Sequence, residues 1–270
     1  MASLGILTLH GMGKTDPGYH INLMAEIDRR LGPQKAQQVK HAAVYYQDIL
    51  HNNQKRYFDG VKDDLRWNGL RDFMIHGFGD AASLEAQKGW EGSPYFQAQQ
   101  KILDALKLLY IQLQGDNRRV IVIAQSLGGQ VISNYLWDAG RDPGKASAGV
   151  WKQTPSFDSQ DEEDFCRGKR IVRLITTGCN IPLFVAGIDE DKIEPIKKHW
   201  DQFQWHNYYD KDDILGWPLR GLNSAYADLV DDHAINVGFF TSFTPFSHTH
   251  YWDDRSFLRP LIAHIEQNLP

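Results

Sequence analysis

The chain has 270 residues, 42% of them hydrophobic, and a formal charge of −5 at pH 7. This length is enough for a full hydrophobic core and predicts a single domain over residues 1–270. Lysine and arginine are scattered along the sequence, so a nucleic-acid partner is not expected. No apolar run approaches the roughly 20 residues that span a bilayer. Cys166 and Cys179 lie in unrelated contexts, which indicates reduced thiols in a soluble, cytoplasmic protein, with one disulfide between them as the alternative.

Strand-like and helix-like segments alternate along the chain. The predicted strands are residues 5–9, 39–46, 120–125, 170–176, 204–209 and 234–240. The predicted helices lie between Pro17 and Gly32, over residues 95–113, after the small-residue turn at 126–129, and over 257–265. Such alternation predicts an α/β fold, with a mostly parallel sheet covered by helices on both faces.

Two stretches interrupt this alternation, residues 51–94 and the acidic residues 154–168. In the first, the apolar residues between 73 and 84 predict a short amphipathic helix near the mouth of a site, because loops at the carboxyl ends of strands build the pocket in open α/β sheets. Residues 51–94 are therefore predicted to form a cap, or else to pack on the edge of the sheet.

The segment around Ser126 predicts a nucleophile. Val120 begins an apolar strand that runs into Ser126, and residues 131–136 then follow with helical spacing. A strand that turns into a helix within one residue holds that residue in a strained backbone conformation and requires small neighbours two positions away. Those neighbours are Ala124 and Gly128.

In the order of its parts, the chain resembles the α/β-hydrolase superfamily, from the His10-Gly11 loop through the serine turn to the last histidine-bearing loop. The resemblance implies the order nucleophile, acid, histidine, which Ser126, Asp213 and His248 satisfy. Ala124 stands where the superfamily commonly has glycine. Because the chain begins at the strand before His10, it resembles a compact version that lacks the superfamily's first two strands.

Two of these assignments have close competitors. Asp213 is preferred as the acid because Leu215 follows it as the family pattern implies, and Asp210 is the alternative. His248 is preferred over His250 because related hydrolases often place Tyr-Trp three residues after the histidine. The resemblance also implies an oxyanion hole from the backbone N–H of Leu127 and that of Met12 or Gly13.

The expected function is therefore hydrolysis of carboxylic esters by a serine hydrolase, lipid-like and aromatic acyl esters included, with a small-molecule ester as partner. An acyltransferase with the same nucleophile and a catalytically silent binding protein are the alternatives. No cofactor is needed. The segment Gly11–Thr15 echoes a phosphate loop, but the required first glycine falls at Thr8. A metal at His248 and His250 is not expected, because no companion ligands stand at recognisable spacing.

Overall fold

The computed structural model describes residues 2–115, 117–142, 144–198, 202–238, 248 and 250–269. Within them, six strands form one sheet in the order β2-β1-β3-β4-β5-β6, and every neighbouring pair is parallel. The strands are β1 (Leu4–Leu9), β2 (Val39–Val44), β3 (Arg119–Gln125), β4 (Ile171–Thr177), β5 (Gln204–Asp210) and β6 (Val230–Ile235). The predicted α/β class with a mostly parallel sheet is confirmed.

Helices connect the strands. They are α1 (Ile21–Ala36), α2 (Gln47–Val61), α3 (Asn68–His76), α4 (Phe78–Glu85), α5 (Pro94–Gln112), α6 (Leu127–Ala139), α7 (Gln160–Cys166), α8 (Pro182–Val185), α9 (Ser224–Leu229) and α10 (Arg255–Asn268).

Each face of the sheet buries its own apolar cluster, because successive side chains of a strand point to opposite faces. In β3, Val120 and Val122 belong to the cluster that contains α5 and α6. Ile121 and Ile123 belong to the other, which contains α1 and α10. A strand covered on both sides is apolar throughout, which explains why β1 and β3 were recognisable from sequence.

The carboxyl ends of β1 and β3 frame a crevice. The two strands are neighbours with Leu9 opposite Ala124, yet the helices that follow them pack on opposite faces of the sheet. The chain therefore leaves β1 and β3 toward opposite faces of the sheet, and open α/β sheets bind their ligands at such a switch point.

Several elements differ from the sequence predictions. The first helical piece of α1 stops at Gly32, as predicted, because φ 73° and ψ 164° there are not helical, but a second, unpredicted helical piece follows directly and extends to Ala36. Residues 51–94 hold three helices instead of one short one, and the last strand is Val230–Ile235 rather than 234–240, of which residues 239 and 240 lie outside the described residues. The charged residues of β6 hid its strand character, because apolar alternation is the signal that identifies a strand.

Both cysteines are buried and free, as predicted. Among the described residues, no helix combines the length and apolarity needed to cross a membrane.

Candidate active site

Ser126 occupies the turn between β3 and α6. Its φ of 51° and ψ of −121° lie in a region that L-residues rarely adopt. The turn brings the first residues of α6 against the end of β1, so that a Cβ on Gly128 would lie 2.5 Å from the carbonyl oxygen of His10. The small residue predicted at this position is therefore required by a close backbone approach.

The loop after β1 lies directly against Ser126. A Cβ on Gly11 would approach the Ser126 Cβ to 2.9 Å. His10 supports this loop from beneath. Its Nε2 accepts the backbone N–H of Tyr46 at 3.1 Å, which leaves Nδ1 to donate to the Gly11 carbonyl at 2.8 Å. Burial lowers the pKa of His10 to about 4, so the ring is neutral at physiological pH.

A buried carboxylate holds the same loop from the segment that precedes α5. Asp80, on α4, accepts the backbone N–H of Gly13 through Oδ2 at 3.1 Å. Gln54 donates to Oδ1 at 2.6 Å, and Gln47 donates to Oδ2 at 3.3 Å. Burial raises the pKa of Asp80 to about 6, although these three donors favour the charged form. Sequence reasoning missed Asp80, because 67 positions separate it from Gly13.

Asp213 and His248 are in direct contact. His248 Nδ1 lies 2.8 Å from Asp213 Oδ2, and both residues are buried. Burial alone would raise the pKa of Asp213, but hydrogen bonds from His248, the Leu215 N–H and Tyr251 outweigh it and hold the pKa below its usual value. Asp213 is thus an ionised carboxylate, and it accepts a hydrogen bond from His248 Nδ1–H.

Other residues anchor the histidine and the acid. The Tyr251 hydroxyl donates to Asp213 Oδ2 at 2.8 Å and accepts the Asp210 N–H at 2.9 Å. Gln125 Nε2 donates to the backbone carbonyl of His248 at 2.7 Å. The Tyr-Trp pattern in the sequence included Tyr251, but only the structure shows that Tyr251 contacts Asp213.

The competing candidates lie in other environments. The carboxylate of Asp210 accepts the backbone N–H groups of Asp212 and Val237, so it fixes the local backbone. His250 is exposed and does not line the cavity that contains Ser126.

Ser126 and His248 line one cavity of about 260 Å³, together with residues of the loop after β1. Ser126 Oγ and His248 Nε2 are both buried, and neither has a hydrogen-bond partner within the described residues. Leu127 is the first residue of α6, so its N–H has no acceptor inside the helix. Ser126 and His248 thus bring a hydroxyl and an imidazole to one cavity, and the Leu127 N–H directly follows Ser126 in the chain.

No family model and no curated protein sequence matches this chain. Among solved structures, an inhibited esterase B from Lactobacillus rhamnosis is 11% identical, with a TM-score of 0.50 over 98% of this chain and 78% of that chain. An acetyl xylan esterase is 11% identical, with a TM-score of 0.44 over 100% of both chains. A protein described as a hydrolase of the alpha/beta superfamily, from Xanthomonas campestris pv. campestris, is 11% identical, with a TM-score of 0.40 over 96% of this chain and 98% of that chain. At this identity, the likeness concerns the fold.

Proposed function

This chain has the α/β-hydrolase fold, and from that premise we propose that it is a serine hydrolase that cleaves carboxylic esters through an acyl-enzyme. The observation that carries the proposal is the Asp213–His248 contact of 2.8 Å beside the cavity that His248 shares with Ser126. Serine is a weak nucleophile at neutral pH, and a histidine oriented by a carboxylate is the usual means of activating it.

In the proposed mechanism, Ser126 Oγ attacks the ester carbonyl carbon while its proton passes to His248 Nε2. Nε2 is the accepting atom because Nδ1 carries the proton donated to Asp213. Collapse of the tetrahedral intermediate breaks the bond to the alcohol oxygen, which takes the proton from Nε2. A water molecule then attacks the acyl-enzyme, His248 takes its proton, and the second collapse releases the carboxylic acid and returns the proton to Ser126.

The negative oxygen of each intermediate requires donors that are already in place. The N–H of Leu127 is one, at the positive end of the α6 dipole. Two N–H groups in the loop after β1 compete for the second role, and Gly13 donates its N–H to Asp80. Met12 is therefore the better second donor.

Intact-mass labelling with a fluorophosphonate tests the proposal, because the reagent reacts with an activated serine. We expect one adduct per chain in the wild type, none in Ser126→Ala and strongly slowed labelling in His248→Ala. His250→Ala is the matched control, since His250 is exposed, and should label at the wild-type rate. A folded wild-type protein that takes no adduct, or an adduct that persists in Ser126→Ala, would contradict the proposal and favour a binding protein.

Release of free acid from an ester series of increasing acyl length then tests the reaction and its substrates. Rates that rise with acyl length would support lipid-like esters, and rates that stay flat or decline beyond the shortest acyl chain would contradict them. Product found on an added alcohol or amine instead of water would identify an acyltransferase, which uses the same acyl-enzyme.

A further inference from the structure

Two charged side chains line the cavity that contains Ser126. Among its described lining residues, Lys14 and Asp253 are the only lysine, arginine, aspartate or glutamate. Both are exposed, so a bound substrate can contact their side chains. Lys14 already has a partner, because its Nζ lies 2.8 Å from both carboxylate oxygens of Asp72. The positive charge of Lys14 is therefore balanced within the protein.

The carboxylate of Asp253 has no such partner. Within the part of the chain that the structure describes, it accepts no hydrogen bond and forms no ion pair, although the Asp253 backbone N–H donates to the His250 carbonyl at 3.2 Å. The adjacent Asp254 differs, since its carboxylate accepts the backbone N–H groups of Ser256 at 2.7 Å and Gly238 at 3.2 Å. Asp254 thus holds the local backbone, whereas Asp253 carries the unbalanced charge of the cavity.

This negative charge bears on the proposed reaction. Both tetrahedral intermediates carry a negative oxygen beside Ser126, and a carboxylate on the wall of the cavity repels that oxygen. An anionic substrate would be repelled for the same reason, since Asp72 neutralises Lys14. A cationic group on the substrate would reverse both effects, because it is attracted to Asp253 and offsets the charge that develops on the oxygen.

Aromatic rings on the wall of the same cavity add to this preference. Tyr19 and Trp252 both line it, with their ring centroids 6.0 Å apart. The Tyr19 hydroxyl donates to the Thr8 carbonyl at 2.8 Å, and Trp252 Nε1 donates to Thr177 Oγ1 at 3.1 Å. With their polar groups bonded inside the protein, the rings present carbon surface to the cavity, and aromatic rings attract cations. Two rings and the Asp253 carboxylate therefore line one space, a combination that suits an ammonium group.

We propose that Asp253 selects esters that carry a cationic group, such as a quaternary ammonium, within a few bonds of the ester carbonyl. The cavity measures about 260 Å³, so a group that contacts its wall stays close to Ser126. Either the alcohol portion or the acyl portion can carry this group, and the test has one arm for each. This inference rests on the proposed ester hydrolysis and specifies its substrate class.

The test uses two pairs of esters, and within each pair a quaternary nitrogen is replaced by carbon. Acetylcholine and 3,3-dimethylbutyl acetate differ in the alcohol portion, and betaine ethyl ester and ethyl 3,3-dimethylbutanoate differ in the acyl portion. The measurement is the ratio of kcat/KM for the cationic ester to that for its neutral analogue, in the wild type and in Asp253→Asn. Comparing this ratio between the two proteins cancels differences in the intrinsic reactivity of the esters.

We expect the ratio of at least one pair to fall about 5-fold or more in Asp253→Asn, which corresponds to two unit charges about 4 Å apart in water. The kcat/KM values for the neutral esters should hold or rise, because the variant removes the repulsion of the negative oxygen. In the wild type, the same ratio should fall as NaCl is raised from about 20 mM to about 500 mM, because salt screens exposed charges.

Asp228→Asn is the matched control. Asp228 is exposed on α9, does not line the cavity, and lies just before the start of β6, at the end of the sheet opposite Ser126. This variant should leave both ratios unchanged.

If Asp253→Asn leaves both ratios unchanged while Ser126-dependent hydrolysis persists, the cation preference alone is overturned. Should this variant fail to fold, wild-type ratios that salt does not lower overturn the preference instead. Absence of Ser126-dependent hydrolysis of all four esters would overturn the proposed function and the cation preference together.

Discussion

Tyr251→Phe tests whether the Tyr251 hydroxyl supports Asp213 in catalysis, in addition to stabilising the fold. The substitution removes the hydroxyl that donates to Asp213 Oδ2 and accepts the Asp210 N–H, at 2.8 Å and 2.9 Å. A hydrogen bond to a charged group contributes about 1.5–3 kcal/mol, and a buried N–H left without a partner costs about 1–3 kcal/mol. We expect the free energy of unfolding to fall by about 3 kcal/mol, measured by chemical denaturation.

The same substitution should lower kcat because Asp213 is less firmly held against His248. If about half of the charged hydrogen bond supports the transition state, kcat falls about 10-fold, since 1.4 kcal/mol corresponds to a factor of ten. Tyr251 is not among the residues that line the Ser126 cavity, so KM should change little. The assay is steady-state hydrolysis of phenyl acetate, with the rate of fluorophosphonate labelling measured in parallel.

Tyr135→Phe is the matched control. The Tyr135 hydroxyl donates to the Cys166 carbonyl at 2.7 Å, and the residue is fully buried away from the cavity. This variant should lose about 1 kcal/mol of stability and keep its kcat. An unchanged kcat in Tyr251→Phe, or an equal loss of kcat in Tyr135→Phe, would refute the reasoning.

Three further predictions concern the loop after β1, the turn between β3 and α6, and the histidines of β5 and α10. Asp80→Asn should lower kcat about 10-fold at pH 8. The carboxylate oxygens of Asp80 accept hydrogen bonds from surrounding N–H groups, and the side-chain amide of asparagine would place an NH2 group against one of these donors. At pH 5 the wild-type carboxyl, whose pKa is about 6, is itself protonated, so the two kcat values should converge; a constant ratio would contradict this. Gly128→Ala should abolish folding or lower the free energy of unfolding by about 3 kcal/mol or more, since its Cβ would clash with backbone atoms. Gly60 is the control: it lies in a helix, a Cβ there has no neighbour within 4 Å, and Gly60→Ala should stabilise the protein by about 0.5–1 kcal/mol. Burial and neighbouring charges lower the pKa values of His206 and His264 to about 3 and about 4. The unfolded chain therefore binds more protons than the folded chain as the pH falls below 6.5, and the free energy of unfolding decreases. Chemical denaturation should show a smaller decrease in this free energy from pH 7 to pH 5 in His206→Gln than in the wild type.

Local patterns predicted the scaffold because they reflect local physics. Buried parallel strands are continuous apolar runs, and β1 and β3 are buried along almost their whole length. The choice between Asp213 and Asp210 is different, since three aspartates share one turn. A Cβ on Gly216 would lie 2.5 Å from Asp213 Oδ2, so the fold of the following loop decides which carboxylate faces the histidine. That information is absent from the spacing of the aspartates.

Contacts between residues far apart in the sequence could not be predicted for the same reason. Helices α3 and α4 and most of α2 lie in residues 51–94, the segment predicted as a cap, yet the sequence does not reveal that Asp80 reaches Gly13. Nor does it reveal that Gln47 and His51 line a cavity with Lys14. These residues are ordinary polar residues of surface helices in sequence, and their partners stand more than 30 positions away.

The backbone angles of Ser126 also bear on how this protein can be engineered. A glycine at this position would adopt a φ of 51° with far less strain, whereas a non-glycine residue held in such a region costs about 1–3 kcal/mol. A screen of random variants for heat resistance alone would therefore enrich proteins that have lost the nucleophile. Stabilisation of this chain must be selected together with turnover, because the reactive position is one where durability and activity oppose each other.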